Sequence, residues 1–402
     1  MKKILMTLLL FTVLDVFAQK PTQWRGENSE AKYLAPNLLA QWPDDGPEIL
    51  WHFDGLGDGF STPVFTNGRI YCTGMEDNIG YIHIFTENGT HEKKIEYGKE
   101  FEESYPGSRS TPTIVGDLAY ICTGYGELSC LRLTDEAILW CRDLVADFES
   151  QNLEFGNNES VVVEGDKVYF TPGGTVFNMV ALNRMNGDLV WKSAGKGKPS
   201  AYCTPKLLNH CDRQLLVTHT GDEIIAIDAS DGKLLWSYPH PNQYNLHPNT
   251  PVYADGSLFC FSGYGQGAVK LVLNEDGSSV TKAWSTKKMD NLMGGAEIVD
   301  GYVYASGNKA RGWFCYDYET GDEKWNSREI GNGVIIMAGD KFIIYSERGE
   351  LALVNPNNEK LDVISKTRVE LGSAQHWAHP AVHNGILYVR HGTSLIAYKV
   401  SA

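Results

Sequence analysis

The chain repeats itself, and that repeat limits the possible folds more than any other feature. STPVFTNGRIYCTG (61–74) returns as STPTIVGDLAYICTG (110–124), TPKLLNHCDRQLLVTHTG (204–221) and TPVYADGSLFCFSG (250–263). Looser copies are GAEIVDGYVYASG (295–307) and HPAVHNGILYVRHG (379–392), and two more, near 159 and 333, lack the proline. Unit starts near 61, 110, 159, 203, 249, 294, 333 and 378 define eight units spaced 39 to 49 residues apart. Each is long enough for four short strands.

Turn chemistry places the strands. The first hairpin of a unit turns at Asn67-Gly68, Gly116-Asp117, Gly165-Asp166, Asp255-Gly256, Asp300-Gly301, Gly339-Asp340 and Asn384-Gly385. These pairs tolerate the positive φ of tight hairpins. A later hairpin turns at Asn88-Gly89, Asn186-Gly187, Asp231-Gly232, Asp276-Gly277 and Thr320-Gly321. No segment keeps a helical period. The pattern predicts an all-β, eight-bladed propeller over 48–402, with a seven-bladed ring containing one broken unit as the alternative. From residue 378 only 25 residues remain, enough for three strands. EILWHF (48–53) reads as a lone strand that supplies the fourth and closes the ring, protecting its seam.

ALNRMNGDLVW (181–191), AIDASDGKLLW (226–236) and CYDYETGDEKW (315–325) end in Trp191, Trp236 and Trp325, and Trp51, Trp140 and Trp284 fall at corresponding ends. Here the chain resembles the PQQ-binding-like, quinoprotein-type propeller repeat family, with its A-x-D-x-x-T-G-x-x-x-W signature. The resemblance covers about 48–400 and implies that the tryptophans pack between blades. Relatives include quinone-dependent dehydrogenases and an outer-membrane assembly lipoprotein, which this chain resembles without the lipid-anchor cysteine, since its first cysteine is Cys72. The dehydrogenases use adjacent cysteines, calcium-binding carboxylates and often a haem module. No two of the eight cysteines here are adjacent and no C-x-x-C-H occurs, so no cofactor is expected.

The remaining chain bounds the setting. Residues 1–18 read as a signal peptide, with Lys2 and Lys3, an apolar run from Ile4 to Leu14, and Val16-Phe17-Ala18 before the cut. A periplasmic or secreted protein without membrane insertion follows. Residues 19–47 carry no repeat, and Trp24 and Trp42 predict a leader packed on the propeller surface. A net charge of −15 argues against nucleic acid, whose phosphates need a basic patch. The cysteines read as buried thiols, with Cys130–Cys141 the pair to consider if a bridge forms.

The chemistry centres on QHWAHP (375–380). Residues three apart in an extended segment face opposite sides, so His376 and His379 are not expected to share a metal, and no metal site is assigned. Register about Asn384-Gly385 sets His379 opposite Arg390 and Ala378 opposite His391, which predicts a rim cluster. Trp377 lies beside it. Entry loops bring Arg109, Glu159, Tyr202 and His247 to the same rim, and loops after the second strands bring Tyr125, Tyr264, Lys309 and Arg311. Aromatics beside arginines suit a sugar or acidic polymer. The expectation is a monomeric binding or scaffold protein for a glycan or a protein partner. The alternatives are a glycan lyase or hydrolase using His379, His391, Tyr202 and Arg109, or a divergent quinoprotein dehydrogenase.

Overall fold

Positive φ begins each blade. Asn67-Gly68 (52° and 68°), Asp255-Gly256 (49° and 70°), Asp300-Gly301 (51° and 80°) and Asn384-Gly385 (49° and 74°) are left-handed at both residues, as tight hairpins require. These turns join the first two strands of antiparallel sheets spanning 64–99, 113–143, 162–193, 206–239, 252–286, 296–327 and 333–368 in a computed structural model that describes residues 20–402. An eighth sheet takes its three inner strands from 381–399 and its outer strand from Ile49–Phe53. The protein is an eight-bladed β-propeller closed by that N-terminal strand. The signal segment expected at 1–18 lies outside the described residues. Among these, the single α-helix is Leu144–Phe148, capped by Asp143, in a loop between blades.

Neighbouring blades interlock through the outer-strand tryptophans. Five of the six indole N–H groups donate to a carbonyl in the outer hairpin of the next blade: Trp140 to Arg184 (2.9 Å), Trp191 to Ala229 (3.1 Å), Trp236 to Gly277 (3.2 Å), Trp284 to Tyr318 (2.9 Å) and Trp325 to Asn357 (2.7 Å). The glycine of that hairpin makes room for the ring. A Cβ on Gly89, Gly187, Gly232 or Gly321 would stand 2.4 to 2.8 Å from an atom of Trp51, Trp140, Trp191 or Trp284 respectively. A small residue faces most of these indoles across its own sheet: Cys130 opposite Trp140, Ala181 opposite Trp191, Ala226 opposite Trp236, Cys315 opposite Trp325 and Ala397 opposite Trp51. Between blades the apolar faces form separate buried clusters, as an array of stacked repeats requires.

The same pairing corrects the candidate disulfide. Cys130 faces Trp140 while Cys141 faces Ser129, so the two thiols lie on opposite faces of their sheet, one buried and one exposed. All eight cysteines are free thiols.

The first part of the leader runs along inner strands that line the central channel. Thr22 bridges Ile114 on the inner strand of the second blade, and Lys32–Tyr33 adds a parallel strand inside the seventh blade, against Met337 and Ala338. Lys206, on the inner strand of the fourth blade, donates to the carbonyl of Asn28. Arg25 reaches Glu297 of the sixth blade at 3.5 Å, with both side chains almost wholly buried. Burial outweighs the nearby guanidinium and raises the Glu297 carboxyl to about 8, so near neutral pH Arg25 faces a largely protonated acid. The chain then leaves the channel, buries Trp42 beside Ser365, and enters the closing strand.

Candidate functional site

The loops that enter each inner strand, with the turns after the second strands, gather on one face around the channel mouth. There Trp24, Phe60, Tyr105, Phe155, Tyr202, Tyr264 and Trp377 surround a cup of about 320 Å³, joined by Leu246, Pro248, Leu292 and Met293. The threaded leader supplies Trp24, whose ring meets that of His379 at 5.2 Å. Trp377 lies between Phe60 (5.3 Å) and Tyr105 (4.8 Å). Three of the tyrosines hold left-handed backbone: Tyr105 at φ 51°, Tyr202 at 69° and Tyr264 at 58°. For aromatic residues that geometry costs about 1–3 kcal/mol each, and such strain gathers at functional sites.

Charge in the cup is already committed. Arg109 donates to the carbonyls of Gly107 (2.8 Å), Ser104 (2.8 Å) and Tyr105 (2.7 Å), and its guanidinium lies over Phe101. It therefore shapes the 104–107 turn. The Nε2 of His379 is 2.7 Å from the carbonyl of Met293, and its Nδ1 is 3.1 Å from Nη1 of Arg25. Burial, reinforced by Arg25, pushes this imidazole down to about 3, so the ring is neutral.

Of the residues expected at the rim, Arg109, Tyr202, Tyr264, Trp377 and His379 line the cup. Lys309 and Arg311 lie apart, in a polar recess of about 450 Å³ with Asn332, Glu347 and Arg348. The others do not face the mouth. Arg390 is fully buried and donates to Ser61 (2.7 Å) and to the carbonyls of Thr73, Gly57 and Gly392, tying the last blade to the first. His391 faces the carbonyls of Leu371 and Ala374 and stacks on His376 at 3.8 Å. His376 also meets the hydroxyl of Tyr345. The expected cluster of His379, Arg390 and His391 therefore does not form: adjacent strand residues point to opposite faces and found different partners. Glu159 is buried beneath Thr171, and burial holds its carboxyl well above the usual range. Tyr125 packs on Phe101, outside the cup, and His247 is wholly buried beside two other histidines. Trp24, Phe60, Tyr105 and Phe155 were not among the expected residues. Their signal was aromatic residues in non-repeating segments.

Buried ionisable groups give stability a peaked pH profile. Burial lowers His83 and His379 to about 3 and His376 to about 4. Their unfolded value is about 6.5, so below that pH the unfolded chain binds more protons and stability rises with pH. Burial raises Glu100 to about 7, and raises Glu159 and Glu297 as well. These carboxyls bind more protons when folded, so stability falls as pH climbs from the unfolded carboxylate value through their folded ones. Melting temperature should peak between the unfolded carboxylate and histidine values, where the rising histidine slope and the falling carboxyl slope cancel. Thermal melts from about pH 4 to pH 9 test this, and a melting temperature that keeps rising above neutrality would contradict it. Glu297→Gln should flatten the alkaline side.

Comparison with known proteins places the chain. The family model described as outer membrane protein assembly factor BamB matches residues 91–327. The chain belongs to this PQQ-like propeller family. A curated relative, outer membrane protein assembly factor BamB of Yersinia pestis, is 26% identical over 271 residues. That match covers 62% of this chain and 63% of the relative, so the chain spans less than two thirds of its relative's length. BamB from Moraxella catarrhalis superposes with a TM-score of 0.62 at 14% identity, over 88% of this chain and 99% of that one. A europium-containing methanol dehydrogenase gives 0.68 at 12% identity, over 94% and 91%. The quinohemoprotein alcohol dehydrogenase from Comamonas testosteroni gives 0.67 at 11%, over 94% and 80%.

The cup of this PQQ-like propeller offers neither an acidic metal ligand nor a free cation to a charged cofactor. The cup lining holds no aspartate or glutamate, and its one arginine is spent on backbone carbonyls.

Proposed function

We propose that this protein is a binding protein of the scaffold kind, which holds an apolar or aromatic peptide segment of a partner protein in the loop-face cup. One observation carries the reading: seven aromatic rings around one cup, three of them on strained backbone, with no uncommitted charge. Rigid aromatic surface of this kind binds with little loss of side-chain freedom and makes strong anchor sites. Membership of the assembly-factor family supports a protein partner. The fully bonded His379 favours binding over proton abstraction, because neither ring nitrogen is left to take a proton from a substrate. The commitment of Arg109 argues against an acidic glycan. We further propose that residues 1–18 direct export and are removed, and that the mature chain acts as a monomer in the periplasm or outside the cell. Among the described residues no helix is long and apolar enough to cross a membrane.

The test is a binding screen of extended peptides rich in aromatic residues, beside arrays of neutral and acidic glycans. Tyr105→Ala and Trp377→Ala should each weaken peptide binding about tenfold or more, since anchors of this type contribute roughly 2 kcal/mol or more. Their melting temperatures should stay close to that of the unchanged chain. A neutral glycan bound in the same cup and lost in the same variants would replace the partner class. Peptide binding that both variants retain would remove the cup from the function.

A further inference from the structure

The fourth blade carries a second constellation, independent of what the cup binds. His219 ends the strand Arg213–His219, His240 follows the outer strand Leu234–Pro239, and His247 lies in the loop to the fifth blade. One ligand atom from each lies within 4.8 Å of the other two, and all three residues are buried. The rings of His219 and His247 are nearly parallel, 5.2 Å apart, with His240 at 5.5 Å from the first and 6.1 Å from the second.

Packing alone does not explain this group. A neutral imidazole carries one donor and one acceptor, and an unmet buried polar atom costs about 1–3 kcal/mol. Neither nitrogen of His219 has a hydrogen-bond partner, although the residue is 1% exposed, and Nδ1 of His240 also has none. His247 is different. Its Nε2 donates to the carbonyl of Gly221 at 3.0 Å, which fixes the tautomer and leaves Nδ1 with its lone pair. A backbone carbonyl on the far nitrogen is the usual support of a metal-ligating histidine. Asn242 approaches that Nδ1 at 3.4 Å but is already satisfied by the carbonyl of Leu246 and the hydroxyl of Ser262.

We infer that His219, His240 and His247 form a three-imidazole site for a divalent transition-metal ion of the zinc type. Three nitrogen ligands without thiolate or carboxylate suit zinc, with a solvent molecule completing the tetrahedron. Zinc–nitrogen bonds of about 2.0–2.1 Å put the ligand atoms about 3.3 Å apart, so loading draws the rings together by an ångström or so. Burial already keeps all three rings neutral, the form that ligates. Asp222, held by Lys198 at 2.6 Å, stands near His247 and offsets part of the ion's charge. The ion would tie the loop 240–248 to the blade behind it. Leu246 and Pro248 of that loop line the cup, so the ion would stiffen one cup wall.

The experiment uses the untagged full chain, stripped with a chelator, loaded with Zn²⁺ and dialysed. Elemental analysis should then find one zinc per chain, and Co²⁺ in its place should give the intense visible bands of a tetrahedral site. His240→Ala and His247→Ala should each weaken Zn²⁺ binding about a hundredfold or more, while His376→Ala, at the separate His376–His391 pair, leaves it unchanged. Wild-type protein that retains no zinc after loading overturns the inference, and this measurement does not depend on whether a variant folds. Zinc retained equally by folded His240→Ala and His247→Ala protein also overturns it, because the ion then sits elsewhere.

Discussion

A chain lacking Ile49–Phe53 is expected to lose its cooperative fold and aggregate. The strand is the outer edge of the last blade, paired as Ile49 with Tyr398, Trp51 with Ala397, His52 with Ile396 and Phe53 with Leu395. Removing it bares a row of unpaired backbone groups, the template on which sheets associate. It also opens the seam. Trp51 packs on Phe85 and Tyr388, and Phe53 on Phe85 at 5.1 Å, so these two rings carry much of the contact between last and first blades. Both rings are half-buried, so losing the two together approaches the roughly 3–5 kcal/mol of one fully buried aromatic, and a folded domain holds only about 5–15 kcal/mol in all. Size-exclusion chromatography and a thermal melt read the result. A deleted chain as soluble and heat-stable as the full one would end the closure argument. Attaching 48–53 after Ala402 through a short glycine-rich turn should restore the fold, because it rebuilds the outer hairpin that the other blades have.

The second large effect is at the blade interlock. Trp191→Ala should lower the unfolding free energy by about 3–5 kcal/mol, because the ring is 8% exposed and its cavity lies between two sheets. Gly232→Ala should also destabilise, since the glycine holds φ 80° and its new Cβ would stand 2.6 Å from the indole. The two changes should not add. Without the ring, the added methyl meets no indole and only the backbone strain remains, so the double variant should be more stable than the sum by about 1–2 kcal/mol. Urea unfolding of the four proteins measures that difference. Strict additivity would show that glycine and tryptophan do not meet.

Neither experiment touches the cup, and that separation reflects where information lay in the chain. The blades were legible because each is built from local contacts repeated eight times. Asn-Gly and Asp-Gly turns, the small residue facing most of the indoles, and the tryptophan itself all act within a short span, so a single sequence displays them. Closure was legible too, since three strands were left at one end and one strand stood alone at the other. The register of the final hairpin followed from its turn, yet the side chains of His379, Arg390 and His391 went to three different environments. Their partners are Met293 and Arg25, Ser61 and Thr73, and Leu371 and Ala374. Only the ring decides which blade stands beside which loop.

Sequence by itself determined the repeat, the strand order, the ring closure and the packing role of the tryptophans, because these rest on local propensity and on a device copied in every unit. Tertiary structure alone decided the path of the leader, which has no repeat and bonds to Ile114, Lys206, Glu297 and Met337, residues far away along the chain. It also decided that Trp24 joins Trp377 in one cup and that His219, His240 and His247 converge. These groups belong to different strands and loops, and closing a ring of eight blades brings them within a few ångströms of each other.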